Sequence, residues 1–209
     1  MKRPDEVIWE KFHIHGRDTA PFSPWLEGAN RNHLAELLGE LEYKIGAEIG
    51  VRTGHYSKVL LDRNPNLKLL CVDPWTPYLR VTQSVQDVYL RRCTDKLAVY
   101  GERAVIMRMT SMEAFLKIPD DSLDFVYIDS CHEFDHIMMD LIMWSRKVHR
   151  GGIIAGHDYY NFYQSGVIPA VNAYTYAHGI SQWYVTSEPE PSFFWVRPKE
   201  MSPGGFALC

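Results

Sequence analysis

Apolar positions in the sequence follow two spacings, one typical of helices and one typical of buried strands. Leucines recur at three- and four-residue intervals through 34–41, the spacing of an amphipathic helix that Asn30 or Asn32 can cap. Further helices are predicted at 55–63, 81–99, 111–116, 134–148 and 167–178. Short continuous apolar runs predict strands at 44–50, 67–73, 104–109, 123–129, 153–158, 183–186 and 193–196.

The order of these elements predicts the fold class. Strands that alternate with helices indicate crossover units and a parallel sheet that is covered by helices on both faces. The last two strands are joined by the short segment 188–191, which indicates an antiparallel pair. We therefore predict an α/β fold with a doubly wound sheet of seven strands, mostly parallel, ending in an antiparallel pair.

No repeat or low-complexity linker divides the chain, so we expect a single domain at 31–209. The first 30 residues show no regular spacing and are expected to be irregular. They carry several aromatic side chains that could form a lid over a site: Trp9, Phe12, Phe22 and Trp25.

Composition narrows the class of protein without identifying it. Of 209 residues, 46% are hydrophobic and 23% are charged, which is the balance of a globular protein, and the net charge of −4 gives no case for a nucleic-acid partner. No apolar stretch approaches the roughly 18 residues of a membrane span, and charged residues at the N-terminus leave no signal-peptide pattern. Four widely spaced cysteines without a C-x-x-C pair argue against disulfides or a zinc knuckle and favour a reduced, cytoplasmic location.

Candidate chemistry is expected after the predicted strands, because ligands of doubly wound sheets bind outside the carboxyl ends of the strands. The first such turn contains Gly50 and Gly54, which let the backbone approach a ligand closely. This turn matches neither the dinucleotide-binding G-x-G-x-x-G nor the phosphate-binding P-loop. What remains is an acidic residue, Glu48, followed by the two glycines, and such a turn also occurs without a ligand.

A carboxylate also ends the second predicted strand. The oxygens of Asp73 only accept hydrogen bonds, which suits the two hydroxyls of a ribose. The alternative is that Asp73 merely begins the Asp-Pro-Trp turn. The glycine turn upstream favours the ribose role.

Taken together, the segments after the predicted strands resemble those of class I methyltransferases that depend on S-adenosylmethionine (SAM). The matching segments, which span about the last three-quarters of the chain, are EIGVRTG, CVDPW, MTS, YIDSCHEF and RGGIIAGHDY. They are most similar to the small bacterial group of macrocin-type sugar O-methyltransferases. The resemblance implies a Rossmann-like fold, SAM as cofactor and methyl transfer, while residues 1–30 match nothing in the pattern.

The resemblance also implies which residues contact the cofactor. They fall into four groups, namely the amino-acid end (Glu48, Gly50 and Gly54), the ribose (Asp73, with Trp75 covering one side), the adenine (Thr110, Ser111 and Met112) and the sulfonium methyl (Asp129).

Transfer to a hydroxyl also needs a group that takes up or acidifies its proton, which is either a base or a divalent metal. His132 is the candidate base, and the alternative is an ordinary residue in the first turn of a helix. Asp129 and Asp158 end adjacent predicted strands, so they are expected to converge on a site for Mg²⁺. His157, in place of an oxygen ligand, admits a softer ion such as Mn²⁺ and equally admits no metal at all.

Aromatic side chains follow the second and fifth predicted strands, where an acceptor would bind: Trp75, Tyr78, Tyr159, Tyr160, Phe162 and Tyr163. Such walls suit a sugar or phenol-like acceptor, although they could simply pack against one another. We therefore expect a SAM-dependent methyltransferase acting on a hydroxyl of a small molecule, with a SAM-binding sensor or accessory module as the alternative. The loop signatures of nucleic-acid methyltransferases are missing, no membrane partner is expected, and a homo-oligomer is left open.

Overall fold

The structure is a computed structural model that describes residues 2–14, 25–163 and 165–198. Its helices are α1 (Pro4–Lys11), α2 (Arg31–Glu40), α3 (His55–Arg63), α4 (Gln83–Leu97), α5 (Ser111–Phe115), α6 (Phe134–Lys147) and α7 (Val167–Ala177), with a 3-10 segment (Ala98–Arg103) after α4. Its strands are β1 (Trp25–Leu26), β2 (Ile45–Ile49), β3 (Lys68–Asp73), β4 (Ala104–Arg108), β5 (Leu123–Ile128), β6 (Val148–Gly156), β7 (Tyr184–Thr186) and β8 (Phe193–Val196). Within these ranges, no helix combines the length and the apolar character needed to cross a lipid bilayer.

The strands form one sheet in the order β1-β7-β8-β6-β5-β2-β3-β4. Neighbours from β6 to β4 are parallel, whereas β8 runs antiparallel to both β6 and β7. The predicted α/β fold with a mostly parallel sheet and an antiparallel C-terminal pair is therefore confirmed. The predicted count of seven strands is wrong, because the described residues already form a sheet of eight. The additional strand, β1, has only two residues, too few to produce a periodic signal.

Helices cover both faces of the sheet, as predicted. Leu37 of α2 and Leu60 of α3 are fully buried against one face. Leu141 and Trp144 of α6 are fully buried against the other. Because both faces are covered, the central strands are mostly apolar, with Glu48 of β2 and Asp124 of β5 as exceptions. Most polar side chains of the site therefore come from the loops at the strand ends.

The N-terminal segment is more regular than predicted. Residues 4–11 form a helix, and its Ile8 is fully buried in the core. Trp9 donates a hydrogen bond from Nε1 to the hydroxyl of Tyr184 at 3.0 Å. The prediction of an irregular segment is therefore wrong for α1, which is packed against the domain. Phe22 lies outside the described residues, and a lid formed by this segment stays a prediction.

Strand register brings the predicted site residues to one edge. Ile49 at the end of β2 pairs with Ile128 at the end of β5, and Ile128 pairs with Gly156 at the end of β6. The loops that follow these three strands therefore start at the same level of the sheet. Asp73 ends β3 at that same edge, next to β2.

Candidate active site at the carboxyl edge of the sheet

The turn between β2 and α3 passes directly over the end of β5. Gly50 has a φ of +91°, and a β-carbon at this position would lie 2.0 Å from the carbonyl oxygen of Asp129. Only glycine satisfies both the backbone conformation and this close approach. Gly54 has a φ of +69° at the start of α3. Contact with the neighbouring loop therefore explains Gly50 before any ligand is considered, and the predicted contacts of both glycines with SAM stay predictions.

Asp73 fixes this turn from the adjacent strand. Its carboxylate accepts hydrogen bonds from the backbone N–H groups of Val51 at 3.0 Å, Arg52 at 2.8 Å and Trp75 at 2.8 Å. A carboxylate offers about four lone-pair directions, so one remains for a ligand hydroxyl. Asp73 thus begins the Asp-Pro-Trp turn and also joins two loops, and its predicted role at the ribose stays a prediction.

Trp75 has a different position from the one expected. Its side chain has no exposed surface, and its indole N–H donates to the carbonyl oxygen of Arg52 at 2.8 Å. A residue without exposed surface has no face to offer a ribose. The structure therefore corrects this expectation, because Trp75 belongs to the core beneath the glycine turn.

Glu48 is also buried beneath the turn, with 2% of its surface exposed. Ser57 of α3 donates a short hydrogen bond from its hydroxyl to the Glu48 carboxyl group. Burial raises the pKa of Glu48 to about 8, because a charged carboxylate is poorly solvated there. Glu48 therefore supports the start of α3 from below, and its predicted contact with the amino-acid end of SAM stays a prediction.

The segment predicted to border the adenine begins α5. Thr110 caps this helix, since its hydroxyl accepts from the Glu113 N–H at 3.2 Å while the Glu113 carboxylate accepts from the Thr110 N–H at 2.8 Å. Met112 is 44% exposed and offers an apolar surface. Such a surface suits the flat face of an adenine.

Ser111 belongs to a buried polar network that the sequence did not predict. Its hydroxyl donates to Asp140 of α6 and accepts from the indole N–H of Trp144 at 2.8 Å. The other oxygen of Asp140 accepts from the Ser130 hydroxyl at 2.6 Å. Burial raises the pKa of Asp140. The network ties the loop after β4 to the loop after β5, and the predicted contact of Ser111 with adenine stays a prediction.

Four residues of the loops after β5 and β6 come together as a histidine–aspartate cluster, defined as Asp129, His132, His157 and Asp158. His132 Nε2 lies 2.8 Å from one oxygen of Asp158. His157 Nδ1 lies 3.3 Å from the other oxygen of Asp158 and 3.8 Å from Asp129 Oδ2. The expected convergence of Asp129 and Asp158 is thus observed, with two histidines between them.

The charges of the cluster depend on one another. Burial alone would raise the pKa of Asp158, but the neighbouring imidazoles of His132 and His157 outweigh burial and hold the pKa of Asp158 well below its ordinary value. In turn, the close contact with the Asp158 carboxylate raises the pKa of His132. Burial lowers the pKa of His157, but Asp158 and Asp129 outweigh this effect, and the net shift is upward. Burial raises the pKa of Asp129.

The two histidines of the cluster differ in their exposure to solvent. The side chain of His132 is 37% exposed, whereas that of His157 is 6% exposed. Phe162 packs edge-on against His132, with ring centres 5.2 Å apart, and stacks on Tyr160 at 4.6 Å. His132 is therefore partly exposed to solvent beside two aromatic side chains, while His157 is buried. Tyr159 is buried instead, and its hydroxyl donates to Asn172 at 2.8 Å.

The donor set of the cluster fits a divalent cation. Ligand atoms of Asp129, His132 and Asp158 lie within 4.8 Å of one another. Two carboxylates and one imidazole suit Mg²⁺ or Mn²⁺. This set includes His132, which the sequence proposed only as a base. Binding a metal there would require Asp158 to share its oxygens between the ion and two histidines.

Sequence reasoning missed Arg31, the first residue of α2. Its guanidinium lies 5.4 Å from the ring centre of Tyr56, and the Tyr56 ring packs 4.3 Å from that of Tyr127. Its charge lowers the pKa of Asp129 and partly offsets the effect of burial. A single arginine at a helix start carries no distinctive sequence signal, so only the structure places it at this edge.

Comparison with solved structures shows the same fold in methyltransferases. An O-methyltransferase of Bacillus cereus, in complex with S-adenosylhomocysteine (SAH), has a TM-score of 0.59, 11% identity and coverage of 93% of this chain and 90% of its own. A Klebsiella pneumoniae protein proposed to be an O-methyltransferase has a TM-score of 0.59, 16% identity and coverage of 93% and 89%. A Clostridium thermocellum protein proposed to be an rRNA methylase has a TM-score of 0.62, 13% identity and coverage of 82% and 98%. At these identities the similarity establishes the fold alone.

Sequence comparison adds the family. An uncharacterized protein of Acanthamoeba polyphaga mimivirus is 26% identical over 130 residues, which cover 60% of this chain and only 56% of the relative. The chain thus spans little more than half the length of that curated relative. The sequence profile of a family described as a methyltransferase domain matches residues 47–159, which run from the middle of β2 through β6 and include every residue of the histidine–aspartate cluster. The chain therefore belongs to this methyltransferase family.

Proposed function

We propose that the chain transfers the methyl group of SAM to a hydroxyl of a small organic acceptor such as a sugar or a phenol. The observation that carries this proposal is the accessible imidazole of His132, held by Asp158 beside Asp129 at the carboxyl edge of the sheet. Asp129 follows β5, where the resemblance expects the sulfonium methyl. A base next to the methyl group is what transfer to a hydroxyl requires.

Burial separates the two nitrogens of His132. Nε2 is buried and lies 2.8 Å from the Asp158 carboxylate, in a geometry that forms no hydrogen bond within the described part of the chain. We place the proton of the neutral ring on this buried Nε2, so that Nδ1 is the nitrogen that accepts the hydroxyl proton. In the transfer, the acceptor oxygen forms a bond to the methyl carbon while the bond from that carbon to sulfur breaks. The hydroxyl proton passes to His132 Nδ1, and SAH leaves as a neutral thioether. Asp158 stabilises the imidazolium that forms, while aligning acceptor and methyl supplies much of the rate.

A divalent cation is the alternative way to acidify the hydroxyl. Asp129, His132 and Asp158 would hold it, and a bound cation would lower the pKa of a coordinated hydroxyl. His132 would then be a ligand and would no longer serve as the base. The two contacts between Asp158 and the histidines favour the base.

The surroundings of His132 support a small molecule as the methyl acceptor. Phe162 and Tyr160 offer apolar ring surface to a small molecule. The net charge of −4 supports neither a nucleic acid nor an anionic membrane as partner. We extend the proposal to a cytoplasmic enzyme related to the macrocin-type group.

The test measures cofactor binding and turnover separately. Calorimetry gives the affinity for SAM and SAH, and mass spectrometry follows SAH formation with a panel of sugars and phenols. His132→Gln is expected to lower kcat about 10²- to 10⁴-fold while leaving the SAH affinity unchanged. The control is His136→Gln, an exposed histidine of α6 that pairs with Glu133 outside the cluster.

Each outcome separates one part of the proposal from another. Failure of the wild type to bind SAM or SAH would refute the proposed function. Tight binding without turnover on any acceptor would favour a SAM-binding sensor or accessory module. Full activity of His132→Gln would refute the role of His132 as the base, while the proposed methyltransferase activity would stand.

A further inference from the structure

SAM carries charges of both signs, and its carboxylate needs a positively charged partner in the candidate site. SAM carries two cationic groups, the sulfonium and the ammonium, and one anionic group, the carboxylate of its methionine moiety. Acidic side chains at this edge of the sheet, among them Asp129 and Asp158, suit the cations and the ribose hydroxyls. A carboxylate bound here needs a cation of its own, because burying it unpaired is costly.

Arg31 is a cation held next to the turn, while the guanidinium of Arg52, within the turn, lies over the ring of Tyr89. The backbone N–H of Arg31 donates to the Glu188 carboxylate at 2.7 Å, and its carbonyl oxygen accepts from the Tyr56 hydroxyl at 2.8 Å. Both contacts fix the backbone of Arg31 between α3 and the loop after β7. Its guanidinium lies over the ring of Tyr56, the second residue of α3, immediately after the glycine turn.

Among the described residues, no carboxylate oxygen forms an ion pair with the Arg31 guanidinium within 4.0 Å. Five other arginines form such pairs, namely Arg3, Arg63, Arg108, Arg146 and Arg197. Four of these five arginines are exposed, and only Arg197 is partly buried, as Arg31 is beside acidic residues. Over the same residues Arg52, Arg80, Arg91, Arg92 and Arg103 form none, so the position of Arg31 beside the turn is what distinguishes it. Arginine presents a planar fork of donors that matches a carboxylate in bidentate geometry.

We infer that Arg31 binds the carboxylate of the methionine moiety of SAM. This inference rests on the proposed function, since it takes SAM as the cofactor. The resemblance assigns the amino-acid end of SAM to the turn from Glu48 to Gly54, and Arg31 lies over the residue that follows this turn by two positions. Arg31 then discriminates SAM and SAH from adenosine derivatives that lack the carboxylate.

The experiment compares ligands that differ in this one group. Affinities for SAM and for decarboxylated SAM are measured by calorimetry on the full chain, for wild type, Arg31→Gln and Arg31→Lys. Arg31→Gln is expected to weaken SAM binding about 10- to 100-fold and to leave decarboxylated SAM within about twofold of wild type. Arg31→Lys, which keeps the charge and loses the fork, is expected to be intermediate. Arg91→Gln, an exposed arginine of α4, is the matched control.

The pair of ligands distinguishes recognition from folding. Equal weakening of both ligands by Arg31→Gln would assign Arg31 a structural role and overturn the inference. Unchanged SAM affinity would also overturn it, while leaving the proposed function intact. If Arg31→Gln fails to fold, the same comparison on Arg31→Lys decides. A wild-type chain that binds neither ligand would refute the proposed function, and the inference with it.

Discussion

Replacing Gly50 by alanine tests the packing of the glycine turn on the end of β5. The new β-carbon would meet the Asp129 carbonyl oxygen at 2.0 Å, the carbonyl carbon at 2.6 Å and the Ser130 α-carbon at 2.9 Å. All three atoms belong to the backbone, so no side chain can rotate away to make room. Either the turn or the loop after β5 must move.

Two contributions set the size of the effect. A positive φ costs an L-residue about 1–2 kcal/mol relative to glycine. Forcing a methyl group into a filled space costs about 1–3 kcal/mol more. We therefore expect Gly50→Ala to lower the free energy of unfolding by about 2–5 kcal/mol, a large share of the roughly 5–15 kcal/mol of a typical domain.

Gly28→Ala is the matched control, because Gly28 has a φ of +73° and a β-carbon there would have no neighbour within 4 Å. It is expected to cost about 1–2 kcal/mol, from the backbone alone. Urea unfolding followed by circular dichroism measures both variants under the same conditions. Because the shift of Asp129 would disturb the cluster, Gly50→Ala should also weaken SAH binding. Equal loss of stability in the two variants would refute the close approach as the reason for Gly50.

Three further predictions concern charge at the site. Asp158 raises the pKa of His132, and the base must be neutral, so Asp158→Asn should move the acidic limb of the kcat/KM profile to lower pH; an unmoved limb would contradict the pairing. Between the ordinary pKa of 4.5 and the folded value of about 8, Glu48 is ionised in the unfolded chain and still protonated in the folded one. Wild type should therefore lose up to about 1.4 kcal/mol of stability per pH unit as pH rises through this range, and Glu48→Gln should lack this slope when urea unfolding is measured at pH 5 and pH 8. Since both oxygens of Asp158 contact histidines, dialysis against EDTA should leave methyl transfer within about twofold; a loss that Mn²⁺ restores would assign the cluster to a metal.

The order of strands and helices was predictable because burial on both faces imposes apolar runs on the central strands. Where an element depends on tertiary contacts alone, the sequence gives little indication of it. Helix α1 buries only Ile8 and so has almost no periodic signal. Strand β1 pairs just Trp25 and Leu26 with β7. Both elements were missed for this reason.

The position of the candidate site was predictable from the sequence, but many of its contacts were not. Strand-end spacing placed Asp129 and Asp158 at one edge, but it gave no information on which histidine nitrogen faces which oxygen. The resemblance assigned Trp75 to the ribose, and the sequence could not correct this, because an aromatic residue after a strand has the same pattern whether it lines a site or fills a core. Arg31 was missed because it reaches the site from a helix outside the strand-end loops.

The three hydrogen bonds accepted by Asp73 have a consequence for how fast the cofactor exchanges. They hold the backbone of the turn in place without help from a ligand atom, so little conformational entropy remains to be lost when a ligand binds. Association then needs no slow ordering of this turn and proceeds at the rate of productive collisions. Differences in affinity among variants and ligands should accordingly be found in the residence time of the bound molecule, and release of spent cofactor becomes the step at which this turn influences turnover.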